Sequence, residues 1–259
     1  MSEEATSKMQ PASAPASELE RKDRLALLFR EAVQQKGPGV ILVFEGVGVA
    51  GIVHTIHRLC QVLDPRHYEA HRFPDEKKAD AVFQIGPPLH DYWKRLPKFG
   101  DLAIFDGSYY SQAMLADLDR KERKAFIEEI RNFERTLADN GYLVLKICIT
   151  RREKDLKKEL KKERASVLRK ALLQKRMRRL FKDFDDRVEE LKRLMRKTDA
   201  PHAAWFAPPV GDSREVARAV FDYLIARLEE ALSLDSRTAV AEFDEAMERV
   251  RQMRRQGAV

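Results

Sequence analysis

Three glycines follow a short apolar run near the start of the chain and precede a helical pattern. The run is Val40–Phe44, and Gly46, Gly48 and Gly51 come directly after it. Glycines at such a turn let backbone N–H groups surround the oxygens of a phosphate group, and the N-terminus of the next helix adds the positive end of its dipole. These glycines are therefore candidate phosphate-binding residues.

The spacing of the glycines matches only the first part of the P-loop motif. Gly46 and Gly51 are separated by four residues, as the P-loop motif requires. The motif continues with Lys and then Ser or Thr, and here Ile52 and Val53 stand at those positions. A backbone cradle can survive while the lysine charge and the metal-binding hydroxyl are missing. An ordinary strand-to-helix turn with glycines for tight packing explains the same residues.

A second apolar run, Leu102–Phe105, ends at Asp106 and Gly107. If both runs are parallel strands of one sheet, Asp106 lies beside the glycine turn at the ligand-binding edge. In P-loop enzymes such an aspartate holds Mg²⁺, usually through water. Asp106 is thus the candidate catalytic and metal-binding residue. The other interpretation is a loop aspartate that caps the following helix.

Strand and helix patterns alternate along the rest of the chain. This alternation predicts a mainly parallel sheet that is covered by helices on both faces. A capping box of Ser17 and Glu20 predicts a first helix that ends near Lys36. The other predicted elements are helices Ile52–Leu63, Lys121–Asp139, 213–232 and 236–255, the strand Tyr142–Ile149, and the weaker strands Ala70–Phe73 and Ala203–Ala207.

Length and composition favour one large domain with additional segments. The chain has 259 residues, of which 44% are hydrophobic and 35% charged, so a core of normal size fits a single domain. Residues 1–16 are rich in Ser, Ala and Pro and are expected to be a disordered tail. Residues 17–232 are expected to form the domain, and residues 233–259 a charged C-terminal helix.

The sequence indicates neither a membrane anchor nor an export signal. No apolar run reaches the roughly 18 residues of a membrane span, and the first residues lack the apolar stretch of a secretory signal. The cytoplasm is therefore the expected location. Cys60 and Cys148 are expected to be small buried hydrophobic residues rather than a disulfide.

Basic residues are concentrated in one predicted helical insertion, residues 151–197. It contains 20 Lys or Arg and 9 Asp or Glu, a local net charge of +11, whereas the whole chain carries +7. Polyanions are the natural partners of such a segment: nucleotide phosphates, polyphosphate, nucleic acid or an acidic membrane surface. Lys175, Arg178 and Arg179 are the best candidates for binding polyphosphate, and a solvated helix face is the alternative.

The order of these motifs resembles that of the polyphosphate kinase 2 family over roughly residues 20–232. Family members carry Glu-Gly-Arg-Asp-Ala-Ala-Gly-Lys-Gly-Gly-Thr after the first strand and Phe-Asp-Arg-Ser-Trp-Tyr-Asn-Arg after the second. The variant with Gly107, Ser111 and Gln112 looks most like the non-catalytic half of two-domain polyphosphate:AMP phosphotransferases. The matching residues are Glu45, Gly46, Ala50, Gly51, Thr55, Phe105, Asp106, Ser108 and Tyr110.

Three polar residues of the family motif are replaced. The Arg, Asp and Lys fall on Val47, Gly48 and Ile52, and the lid motif Asp-Pro-x-Lys-x-Trp-Lys-x-Ser has no counterpart between Lys161 and Phe184. Ile52 is expected to face the phosphate oxygens with an apolar side chain. Removing one preorganised donor from a site of developing charge typically lowers the rate on the order of 10²–10³-fold, so weak or absent activity is expected.

The resemblance implies a P-loop-kinase-like, three-layer α/β/α fold with a mainly parallel sheet and a basic helical lid-like insertion. It also implies phosphoryl transfer between polyphosphate and a nucleotide, with Mg²⁺ and with catalysis by positioning and charge stabilisation. Gly46, Gly48, Gly51 and Thr55 would bind phosphate, and Asp106 would bind Mg²⁺. A non-catalytic binder of polyphosphate or nucleotide, or a regulatory partner of an intact homologue, is the alternative. Homo-oligomer formation is also open. A nucleic-acid binder ranks last, because the chain lacks the common nucleic-acid-binding motifs.

The basic insertion generates a first testable prediction. Binding of polyphosphate, measured by titration calorimetry, should weaken as salt rises, because the charges of an exposed helix are screened over about 8–10 Å at physiological salt. An affinity that stays constant from low to high salt would refute electrostatic binding through residues 151–197.

Overall fold

The computed structural model describes residues 17–47, 49–73, 89–115, 118–150, 152–155, 157 and 184–255. The predicted tail, residues 1–16, lies outside these residues. So do Gly48 and the three basic candidates Lys175, Arg178 and Arg179. The roles assigned to them from the sequence stay predictions.

The described part of the chain forms one parallel sheet with helices on both faces, as the sequence predicts. The strand order is β2-β3-β1-β4-β5, with β3, β1 and β4 in the centre. No described helix has the length and apolar character needed to cross a membrane. The elements are α1 (Glu18–Gln34), β1 (Val40–Glu45), α2 (Val49–Cys60), β2 (Tyr68–Arg72), α3 (His90–Trp93), β3 (Leu102–Asp106), α4 (Tyr109–Leu115), α5 (Arg120–Asp139), β4 (Leu143–Cys148), α6 (Phe184–Thr198), β5 (Trp205–Phe206), α7 (Ser213–Leu232) and α8 (Ser236–Arg255).

Burial on both faces explains why the central strands read as continuous apolar runs. In β1, Val40, Leu42 and Phe44 pack with α1, α2 and α7. Ile41 and Val43 point the other way and pack with α3, α4, α5 and the end of α6. The sheet is thus the middle of three layers, and the predicted α/β/α architecture is confirmed.

Helix starts follow the capping residues more closely than the apolar pattern. Ser17 and Glu20 form the predicted capping box at α1. Asp119 forms a second box with Glu122, so α5 begins at Arg120, one residue before the predicted start. Helix α2 begins at Val49, three residues before the predicted start. The glycine turn is therefore shorter than the sequence suggests.

A buried ion pair joins several elements on the face of the sheet that packs against α3, α4 and α5. Lys146 in β4 is fully buried, and its Nζ donates to Glu134 Oε2 at 2.8 Å, to the Tyr110 hydroxyl at 3.1 Å and to the Thr198 carbonyl at 2.7 Å. The hydroxyls of Tyr109 and Tyr110 donate to Glu134 Oε1 at 2.9 and 2.7 Å. Burial raises the pKa of Glu134 and lowers the pKa of Lys146, and the contact between them opposes both shifts.

Replacing Lys146 with Met should lower the free energy of unfolding by about 3–5 kcal/mol, because the Glu134 carboxylate stays buried without its cation. The midpoint of urea unfolding measures the loss. Arg131→Met is the matched control, since it breaks an exposed pair with Glu128 (3.2 Å) and should cost at most about 1 kcal/mol. Equal losses in the two variants would contradict a structural role for the buried pair.

Candidate functional site

The glycine turn and Asp106 lie side by side at the carboxyl edge of the sheet. Phe44 in β1 is the register partner of Asp106 in β3. The Gly107 N–H donates to the Phe44 carbonyl at 3.1 Å. Gly46 therefore follows its strand at the same level at which Asp106 ends the neighbouring strand. Gly46 and Asp106 thus lie at one edge of the sheet, and the binding roles assigned to them stay predictions.

Gly46 is required by packing against the neighbouring strand. A methyl group added at this position would overlap the carbonyl oxygen of Ile149, just beyond β4. The Ile149 N–H donates to the Glu45 carbonyl at 2.8 Å and holds the two segments together. This close approach accounts for the glycine without a ligand. The role of Gly46 in phosphate binding stays a prediction.

Ile52 is buried beside the turn, where its Cδ1 atom lies 3.3 Å from the position that a Cβ on Gly46 would occupy. Its side chain is only 6% exposed and belongs to the core cluster under α1, α2 and α7. The expectation that it faces phosphate oxygens is wrong, because the side chain points to the apolar layer beneath α2. The position that carries lysine in the family motif therefore contributes to the hydrophobic core here.

Gly51 and Thr55 are both buried in α2. The Thr55 hydroxyl donates to the Gly51 carbonyl at 2.9 Å, one turn earlier in the same helix. That hydrogen bond commits the hydroxyl proton to the helix backbone. Contact of Thr55 with phosphate would need a rearrangement of the first turns of α2, and its assigned role stays a prediction.

Glu45 is the residue of this edge to which the sequence assigned no role. It is 1% exposed, and its carboxylate accepts hydrogen bonds from Ser108 Oγ at 2.6 Å, Ser111 Oγ at 2.7 Å and the Ser111 N–H at 3.2 Å. Burial, with the Glu45 charge nearby, raises the pKa of Cys148 to about 12, so this thiol stays protonated. The available signal was a lone acidic residue at the end of an otherwise apolar strand.

A cavity of about 290 Å³ lies on the other side of Asp106, between α2 and strands β2 and β3. His57, His71 and Arg72 line it together with Asp106. Arg72 Nε lies 3.9 Å from Asp106 Oδ2. Burial lowers the pKa of His71, so its ring is neutral at pH 7. The cavity presents the Arg72 guanidinium and the Asp106 carboxylate on a largely apolar wall.

The fit of this edge to Mg²⁺ depends on a single carboxylate. Among the described residues, no group of three or more His, Cys, Asp or Glu side chains is placed to hold a metal ion. The Glu45 carboxylate oxygens already accept hydrogen bonds from Ser108 and Ser111. The Asp106 side chain, in contrast, is 26% exposed. Mg²⁺ often binds through one or two carboxylates, several waters and substrate phosphates. Asp106 therefore fits Mg²⁺ only as a single carboxylate ligand beside waters and substrate phosphates.

Fold and edge together define the class: an α/β protein of the P-loop-kinase-like type, with its candidate site where the central parallel strands end. Within that class the chain belongs to the polyphosphate kinase 2 family. The family's sequence profile, described as Polyphosphate kinase 2, matches residues 11–235.

Curated relatives carry related descriptions. A polyphosphate:AMP phosphotransferase of Pseudomonas aeruginosa is 29% identical over 213 residues, which are 80% of this chain and 42% of that protein. An ADP-polyphosphate phosphotransferase 3 of Rhizobium meliloti is 24% identical over 78% of this chain and 72% of its own length. This chain thus spans less than half of the Pseudomonas protein.

Solved structures agree on the fold. A Pseudomonas aeruginosa protein described as polyphosphate kinase 2 superposes with a TM-score of 0.66 at 27% identity, over 84% of this chain and 43% of that one. Polyphosphate kinase 2 from Arthrobacter aurescens superposes with a TM-score of 0.72 at 20% identity, over 84% of this chain and 78% of that one.

The packing around Gly46 predicts the result of Gly46→Ala in the protein without ligand. The added methyl group overlaps backbone rather than a movable side chain, and such overpacking typically costs about 1–3 kcal/mol of unfolding free energy. Gly37→Ala is the matched control, since the atom nearest to its methyl group is a side-chain methyl of Leu232 at 3.0 Å. If urea unfolding gives the same midpoint for Gly46→Ala and the unmodified protein, packing is not the reason for the glycine.

Proposed function

We propose that this chain is a polyphosphate kinase 2 domain that binds polyphosphate or nucleotide phosphates but transfers phosphoryl groups weakly or not at all. Binding would use the glycine turn and the N-terminus of α2, with the basic residues of 151–197 as a second contact. Asp106 would bind the Mg²⁺ ion. A bound anion would be held at this edge without the lysine that follows the transferred group in a P-loop.

One observation carries this proposal: Ile52 is part of the hydrophobic core. A P-loop lysine supplies a compact positive charge to the transferred phosphoryl group. Ile52 supplies no hydrogen-bond donor, and its side chain is buried in the hydrophobic core. The cost of one missing donor at such a site is on the order of 10²–10³ in rate.

Groups that favour anion binding remain at the edge. The first turn of a helix offers backbone N–H groups that have no partner within the helix, together with the positive end of the helix dipole. Arg72 is 59% exposed, and its Nε atom lies 3.9 Å from Asp106 Oδ2. Anion binding needs only these donors, whereas phosphoryl transfer also needs charge stabilisation that develops in the transition state.

A role as the regulatory partner of an intact homologue is the second candidate. The favouring observation is that the matched region makes up only 42% of the Pseudomonas aeruginosa polyphosphate:AMP phosphotransferase. The remainder of that relative is long enough for a second domain of similar size. A partner role would let an intact domain supply the missing catalytic groups.

The unmodified protein should bind polyphosphate but show little polyphosphate-dependent phosphorylation of nucleoside mono- or diphosphates, because no lysine serves the transferred group. Calorimetry measures binding, and chromatography of the nucleotides measures turnover, with and without an intact homologue. Asp106→Asn is the control for contaminating kinases, since trace activity that survives this change comes from another protein.

Robust turnover that Asp106→Asn abolishes would overturn the proposal and would mean that another basic residue replaces the lysine. Absence of both binding and turnover would refute the anion-binding part of it. Turnover that rises only when an intact homologue is present would favour the regulatory role.

A further inference from the structure

Helix α8 is an appendage to the family domain. The family match ends at residue 235, and α8 begins at Ser236. Its first turn is fixed by a buried polar cluster, in which the Ser236 N–H and hydroxyl both donate to Glu229 Oε1 and Arg24 donates to the Ser236 hydroxyl at 2.8 Å. Asp235 caps the helix by accepting from the Arg237 N–H at 3.0 Å. The direction of α8 is therefore set by α1 and α7.

Most of α8 is exposed within the described part of the chain. Arg237 pairs with Glu20 at 3.4 Å, and the Arg30 guanidinium lies 6.0 Å from the centre of the Phe243 ring. The helix thus runs alongside α1 in the same direction. Every residue of α8 from position 241 to 255 is exposed.

An apolar stripe runs along this exposed helix. Val240, Phe243, Met247 and Val250 are spaced by three, four and three residues, which is the spacing of one seam of a coiled coil. Phe243, Met247 and Val250 are 50%, 39% and 40% exposed. A helix seldom keeps such a stripe in water unless another surface covers it.

Charges on the same helix are separated by sign. Residues 242–248 contain four acidic residues and no basic residue, whereas residues 249–255 contain four Arg and no acidic residue. Two copies in parallel would place like charges opposite each other. Two antiparallel copies place the acidic half of each opposite the basic half of the other, which is favourable at the flanks of a helical seam.

We propose that α8 pairs with α8 of a second copy of this chain, in antiparallel orientation and about a two-fold axis near Met247. The apolar stripe forms the buried seam. With Met247 of the two copies facing each other, Phe243 of one copy lies near Val250 of the other. Glu245 of one copy then lies opposite Arg249 of the other. A two-fold axis makes this contact self-complementary and closed.

The contact is short. Residues 240–254 span about 21 Å of helix at 1.5 Å per residue, so the interface is smaller than those of obligate dimers. The chain should therefore exchange between monomer and dimer with concentration. Because the flanking pairs are exposed and of opposite sign, added salt should weaken the dimer.

Sedimentation velocity of the full chain over a range of concentrations tests the proposal. A dimer is expected that dissociates on dilution and on addition of salt. Met247→Asp should weaken dimerisation about tenfold or more, because it places unpaired carboxylates at the centre of the seam. Val210→Asp is the matched control, since Val210 is 55% exposed and lies outside α8, and it should leave dimerisation unchanged.

A second experiment reverses charges on α8. Arg249→Glu/Arg251→Glu should be monomeric alone, and so should Glu242→Arg/Glu245→Arg, whereas a mixture of the two should form heterodimers. Circular dichroism checks that each variant stays folded. A monomer at every concentration, or a dimer that Met247→Asp leaves intact, would overturn the proposal. A dimer that salt strengthens would overturn the antiparallel arrangement.

Discussion

The buried pair of Lys146 and Glu134 is the interaction on which the carboxyl edge depends. Glu134 holds both tyrosines at the start of α4 through its Oε1 atom. The same helix start carries Ser108 and Ser111, whose hydroxyls bind the Glu45 carboxylate at the end of β1. Two buried carboxylates, Glu45 and Glu134, thus hold the start of α4 and the loop after Asp106. An unpaired charge at either place would be costly, so the arrangement is held as a unit.

Much of the fold could be predicted from the sequence because its signals are local. Three apolar runs gave the three central strands, and capping residues marked where helices begin. The buried pair could not be found in this way. Lys146 is visible as a lone charge in an apolar strand, but its partner Glu134 is one of several acidic residues in α5. Pairing them requires the distance between two elements, which no local pattern contains.

Ile52 shows how one motif can give a correct location and a wrong orientation. Aligning it with the lysine of the family motif placed it at the turn, where it is found. The helical spacing of Ile52, Ile56 and Leu59 instead predicts a side chain that points to the core, since residues four and seven apart share one face. Leu59 is fully buried, and Ile56 packs against the same core cluster. The apolar periodicity therefore outweighs the motif position in deciding where the side chain points.

Phosphate binding and self-association would use opposite ends of the molecule. Helix α1 ends at Gln34 and leads through residues 37–39 into the amino end of β1 at Val40. Because α8 runs alongside α1 in the same direction, its exposed half extends toward the amino edge of the sheet. The glycine turn and Asp106 lie at the carboxyl edge. Pairing of two copies through α8 would leave both carboxyl edges open to polyphosphate, so a dimer could present two anion-binding edges to one long polyanion.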